Sequence, residues 1–200
     1  MYGILIYDGV EPIDLGATFG VFSMARRIAP DLRFAGVARR AGEVLCAGGL
    51  RVTADHGFDD APAFEDVIVT GGPGWIEAAT DEATLDYLRH TPGRKSAICT
   101  GAMILAAAGL LDGRRAATKT QVFEGETPPA DLLPPSVERR GEAIVEDGGI
   151  VTGGGVTLGL DVVFHLLARS HGAGVARETA RVMEYSRALE ANRAALGRFV

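Results

Sequence analysis

Cysteine is scarce: the 200 residues hold two, Cys46 and Cys99. Neither lies in a Cys-x-x-Cys pair or a Cys/His cluster with metal-ligand spacing, so the sequence excludes a disulfide framework and offers no metal site. A surplus of positive charge is also missing. Twenty basic against twenty-six acidic side chains leave a formal charge of -6, without the basic stripe that counterion release at nucleic acid requires. The Arg pairs at 26–27, 39–40, 114–115 and 139–140 are scattered and read as solvated helix ends and turns. No apolar run approaches the roughly 18 residues of a membrane span. The N-terminal "MYGILIYDG" has neither the basic region nor the cleavage site of a signal peptide. Internal repeats and a linker are absent as well, so one domain over residues 1–200 is expected, in the cytoplasm, with free thiols and with neither nucleic acid nor membrane as partner.

What is present is a chain rich in apolar residues (47%) and in glycine (27 positions), the composition of a folded domain with many tight turns. "YGILIYDG" predicts a strand buried on both faces. "DLGATFGVFSMARR" predicts a helix with Asp14 placed to cap its start and Arg26-Arg27 at its end, where the helix dipole favours cations. "LRFAGVARR" and "DVIVTGGPG" predict further strands, and "EVLCAGGLRVTAD" a small hairpin about Gly48-Gly49. "TDEATLDYLRH" predicts a helix with Thr80 as N-cap. The segment 120–135 predicts irregular surface structure with one helical turn. "AIVEDGGIVTGGG" predicts two strands about an Asp-Gly-Gly turn, and "VTLGLDVVFHLLARSHG" a largely buried helix. The C-terminal residues 174–200 predict a pair of helices or one bent helix. Strands alternating with helices make this an α/β sandwich, a mostly parallel sheet with helices on both faces.

The stretch "KSAICTGAMILAAAGLL" places Cys99 where a strand gives way to a helix, on the carboxyl edge at which open α/β sheets bind ligands. Gly101 and Ala102 leave room for the tight bend of a nucleophile elbow. The following helix aims its positive end at the sulfur, which predicts a low-pKa thiol. The plainer alternative is that Cys99 is one more small buried hydrophobe, as free cysteines usually are. For Cys46, which has no activating partner, packing is the better account.

"AICTGAMILAAAGLLDGRRAAT", together with "ILIYDGVEPIDLGATFGVF", "DVIVTGGPG" and "IVTGGGVTLGLDVVFHLLAR" in the same order, resembles the DJ-1/PfpI superfamily, also called ThiJ/PfpI or class I glutamine amidotransferase-like. The Cys-Thr-Gly-Ala motif and the Asp of "IDL" are most similar to its isonitrile hydratase branch and to the amidase-like domains of some AraC-type regulators. The resemblance implies a flavodoxin-like three-layer fold, a homodimer, a small-molecule substrate and no cofactor. It also implies Cys99 as nucleophile and Asp14 as the acid beside it, holding its proton through desolvation. Gly71 and Gly72, otherwise a tight turn, are expected to offer N–H groups to a developing negative charge. Thr100, otherwise an ordinary helix-start residue, is expected to offer its hydroxyl. The apolar first helix, with Phe19 and Phe22, is expected to supply the dimer surface.

The sequence also departs from the family pattern. PfpI-type peptidases carry His directly after the cysteine, where this chain has Thr100, which removes the support for Cys-His proteolysis. Thr118-Lys119-Thr120 stands where the family often reads Thr-His-Trp, so an altered pocket wall is expected. A helical C-terminus replaces the "EYDPQPPF"-like ending of isonitrile hydratases. His56, His90, His165 and His171 are dispersed, and His165 is expected to be a packed core residue. The leading expectation is thiolate attack on a small electrophile, with isonitrile hydration as the reference reaction. Glyoxalase-like attack on a dicarbonyl, ligand sensing without catalysis and redox sensing through Cys99 are the alternatives. With no segment after Val200 to carry a helix-turn-helix, a complete regulator is not expected, whereas a ligand-binding protein stays open.

Overall fold

A computed structural model describes residues 1–200. Short runs of β-branched and aliphatic residues bounded by Gly, Pro or Asp form the strands, as their burial on both faces requires. In chain order the elements are β1 (Tyr2–Leu5), α1 (Pro12–Ala25), β2 (Phe34–Ala38), β3 (Gly42–Leu45), β4 (Arg51–Ala54) and β5 (His56–Gly57). Next come β6 (Asp66–Val69), α2 (Trp75–Ala78), α3 (Glu82–His90), β7 (Arg94–Ile98), α4 (Gly101–Ala107) and β8 (Arg115–Ala116). The remainder is β9 (Glu138–Arg139), β10 (Ile144–Asp147), β11 (Ile150–Gly153), α5 (Gly159–Val182), α6 (Ser186–Leu196) and β12 (Arg198–Phe199).

Eight strands form the central sheet in the order β12-β10-β11-β7-β6-β1-β2-β5. All pairs are parallel except β10 with β11. Alternate side chains divide between two cores. Ile4, Ile68 and Ile98 join α1 and α5 on one face, while Leu5, Val67 and Val69 join α3 and α4 on the other. This is the expected three-layer, mostly parallel, flavodoxin-like sandwich. The β3–β4 hairpin lies off the main sheet, as the Gly48-Gly49 turn predicts.

Four local expectations are corrected. Asp14 does not cap α1: Glu11 does, accepting the Ile13 N–H, and Asp14 sits inside the first turn, fully buried. Asp81 rather than Thr80 caps α3, its carboxylate accepting the Thr84 N–H at 3.1 Å. The helix after the glycine run continues to Val182 through a break at Gly172, where φ is 88°, and the final residues add a short strand that pairs with β10. Phe22 is not a surface residue; it is fully buried and stacked on Tyr2 at 4.5 Å, and Phe19 packs edge-on against Phe34. The outward side of α1 instead presents Ile13, Gly16 and Ser23.

Candidate active site

Cys99 lies between the last residue of β7 and the N-terminus of α4, with φ at 56°. A left-handed conformation costs a non-glycine residue about 1–2 kcal/mol, so neighbouring contacts must hold it. Both backbone groups of Cys99 are pinned. Its N–H donates to the Gly153 carbonyl at 3.1 Å, and its carbonyl accepts the Thr118 hydroxyl at 2.7 Å. The bend also needs glycines around it. A Cβ on Gly101 would overlap the Val69 carbonyl, and one on Gly71 would lie 2.6 Å from both Asp14 Oδ2 and Cys99 Cβ. Gly155, on the loop after β11, packs so closely that a Cβ there would fall on Cys99 Sγ. The "VTGGG" run was the signal for this contact, although as sequence it reads only as a turn.

Asp14 reaches the sulfur from α1. Its Oδ2 accepts the Gly71 N–H at 3.0 Å, and its Oδ1 is buried with no conventional hydrogen bond. The Cys99 thiol is the polar neighbour that interacts with the carboxyl. Burial raises the Asp14 pKa to about 7, against the Gly71 N–H and the thiol, which both favour the charged form. Burial, then the Asp14 charge, pushes the Cys99 thiol up to about 12, although the Thr100 N–H and the charge of Lys119 favour the thiolate. The low-pKa thiol expected from the helix N-terminus is therefore corrected. α4 is only seven residues long, and its positive end does not outweigh a site that leaves Cys99 3% exposed beside a carboxylate. Between these two values the pair holds one proton and one negative charge.

Gly71, Gly72 and Thr100 are all at the site, but their hydrogens are taken. The Gly71 N–H serves Asp14, the Gly72 N–H donates to Thr100 Oγ1 at 2.9 Å, and the Thr100 hydroxyl donates to the Gly72 carbonyl at 3.2 Å. These groups brace the elbow instead of presenting free donors. The Thr100 backbone N–H is the one aimed at the sulfur. Tyr7, overlooked in the sequence, gives its hydroxyl to the Thr70 carbonyl at 2.9 Å. Burial, then the Cys99 and Asp14 charges, keeps its phenol protonated. Cys46 is buried in the core by α1 and α5, as expected of a packing residue. His165 is 8% exposed and bonded to Glu146 at 2.7 Å, also as expected.

Cys99 opens into a cavity of about 740 Å³, whose walls include Thr100, Lys119, Trp75, Phe123 and Val156. This volume lies within the range of small-molecule sites. Lys119, where an altered wall was expected, lines this cavity. No helix is long and apolar enough to cross a membrane.

Fold and junction together define a flavodoxin-like α/β protein with a cysteine on a strand-to-helix elbow at the carboxyl edge of the sheet. The chain belongs to the DJ-1/PfpI family, whose sequence profile matches residues 3–169. It is 31% identical over 192 residues to the isonitrile hydratase of Pseudomonas putida, covering 92% of this chain and 78% of that protein. It is 29% identical over 189 residues to the HTH-type transcriptional regulator GbdR of Pseudomonas aeruginosa, covering 92% of this chain but 50% of the regulator. Among solved structures, a ThiJ/PfpI family protein from Pseudomonas syringae superposes with a TM-score of 0.80 at 25% identity, covering 92% of this chain and 74% of that one. A DJ-1 superfamily protein from Salmonella typhimurium superposes at 0.79 with 22% identity, over 92% and 97%, a likeness of fold.

Proposed function

We propose that the protein is a cysteine-nucleophile enzyme that hydrates isonitriles to N-substituted formamides. The observation that carries this reading is the one-proton pair of a buried Asp14 and Cys99, with Cys99 on the wall of a cavity. Moving the thiol proton to Asp14 creates a thiolate without changing the net charge of a buried site. The sulfur then bonds to the terminal carbon of R–N≡C while Asp14 delivers the proton to that carbon, giving the thioimidate R–N=CH–S. Water adds across the C=N bond, its oxygen to carbon and a proton to nitrogen, with Asp14 as relay. The C–S bond breaks, R–NH–CHO leaves, and the pair regains its single proton. The likeness to isonitrile hydratase supports this choice of substrate.

Incubating wild type and Cys99→Ala with a panel of isonitriles, dicarbonyls and amides tests it. Formamide release by wild type, and its loss in Cys99→Ala, is the expected result. Saturable binding of one compound with no turnover of any would favour instead a ligand-sensing domain, the reading suggested by the likeness to GbdR.

The protein is further proposed to act as a homodimer through the outward side of α1. That helix carries a single charged residue, Asp14, which points inward. Exposed Ile13 and uncrowded Gly16 and Gly20 leave room for the backbone of a second copy to approach. Light scattering at micromolar concentration should give twice the chain mass, and Ile13→Arg should halve it; a monomeric wild type would rule the arrangement out.

A further inference from the structure

This inference rests on Cys99 as the attacking group and concerns what its substrate carries. Lys119 is the only cation lining the Cys99 cavity. Its position is set by the elbow. The preceding residue, Thr118, donates its hydroxyl to the Cys99 carbonyl, and the Lys119 carbonyl accepts the Ala130 N–H at 3.1 Å. The side chain therefore starts one residue from a direct bond to the nucleophile's backbone. It is half-buried, and its ammonium enters none of the ion pairs of the chain. Two carboxylates share the cavity, but each serves its own backbone: Glu11 accepts the Ile13 N–H at 3.4 Å and Glu126 the Phe123 N–H at 3.2 Å. The charge of Lys119 nevertheless reaches the reacting atoms, since it favours the anionic forms of both Cys99 and Asp14. The same cavity is lined by the apolar side chains of Trp75, Ile76, Phe123 and Leu132, with Phe123 82% exposed.

A half-buried ammonium with no ion-pair partner of its own leaves its N–H donors open to a bound anion. We propose that the substrate carries a carboxylate within a few bonds of its electrophilic carbon, held by Lys119, with an apolar remainder against Trp75 and Phe123. A lysine suits this task as a compact charge with three donors that tolerates more than one carboxylate orientation.

Two alkylating probes test the carboxylate site without requiring turnover. Iodoacetate and iodoacetamide both form an S–C bond and release iodide, but only the first is anionic. Their rates at Cys99, separated from Cys46 by peptide mapping, are compared at pH 8.5 for the folded protein and for the chain in denaturant. The iodoacetate-to-iodoacetamide ratio should rise roughly tenfold or more in the folded wild type, the size expected of a charge-assisted hydrogen bond. Lys119→Arg should keep the rise, Lys119→Met should abolish it and Lys119→Glu should reverse it. An unchanged ratio in Lys119→Met, including the case in which both rates fall together, would overturn the proposal. Isocyanoacetate and its methyl ester provide the second arm, with the same preference expected in kcat/KM. If the alkylation ratio behaves as expected and neither isonitrile is hydrated, the carboxylate site stands and the hydratase reading falls. If both isonitriles are hydrated equally and independently of Lys119, the hydratase stands and the carboxylate site falls.

Discussion

Asp14→Asn is expected to lower turnover by roughly 10²- to 10⁴-fold, the usual loss when general acid–base catalysis is removed, while making the folded protein more stable at pH 8. The two effects have one origin. Burial holds the folded-state pKa of Asp14 at about 7, whereas an unfolded Asp titrates near 3.9. The folded chain therefore binds more protons than the unfolded chain between about pH 4 and 7. The stability conferred by a neutral Asp14 is fully present below about pH 4 and is lost as pH rises through 7. The accumulated penalty above that pH is of the order of 4 kcal/mol at about 1.4 kcal/mol per pKa unit. Asparagine has nothing to ionise, and its side-chain oxygen can still accept the Gly71 N–H. Denaturant unfolding of both proteins should show little difference near pH 4 and a gap opening in favour of Asp14→Asn towards pH 8. The kinetics should move with it: kcat/KM of wild type rises through about pH 7 as the pair reaches its one-proton state. That limb should shift to more alkaline pH in the variant, whose thiol must ionise alone. An active Asp14→Asn enzyme with the wild-type pH profile would remove Asp14 from the mechanism.

Gly155→Ala should cost both activity and stability, because its added methyl collides with the nucleophile itself. The added carbon would occupy the space of Cys99 Sγ, and the Cys99 Cα lies only 3.0 Å away. Either the loop after β11 shifts or the thiol rotates away from Asp14. Overpacking of this kind costs about 1–3 kcal/mol, and displacing a reacting atom by about 1 Å can cost 10²-fold in rate. Gly174→Ala is the matched control, since nothing lies within 4 Å of a Cβ there; in α5 it should raise stability slightly. Turnover and thermal unfolding of the two variants decide the matter. A Gly155→Ala protein as active as Gly174→Ala would show that the sulfur does not need the space this glycine leaves.

The parallel strands and the Cys99 elbow were legible because their signals are local: an apolar run, a small-residue turn and a helix pattern within a dozen residues. The errors share a different cause. Asp14 reads as an N-cap because aspartate is a good one, yet Glu11 and Pro12 start the helix a turn earlier and leave Asp14 free to point inward. Phe22 reads as surface because α1 is apolar all round and so carries no inside–outside contrast. The raised thiol pKa is not legible in the sequence because its largest influence, burial, comes from residues distant in the chain. The role of Gly155 is not legible because a glycine needed for close approach looks in sequence like one needed for a turn.

The elbow draws its parts from five separated stretches of chain: Asp14, Gly71-Gly72, Cys99-Thr100, Thr118-Lys119 and Gly153–Gly155. No hairpin or fragment contains the pair, and the contacts that hold it include spans of 57 residues between Asp14 and Gly71 and 54 between Cys99 and Gly153. Contacts this distant in sequence form late, after loop-closure entropy has been met. The nascent or partly unfolded chain thus carries only an ordinary thiol and an ordinary aspartate. The coupled pair comes into being with the completed sheet, and its chemistry is switched on by folding itself.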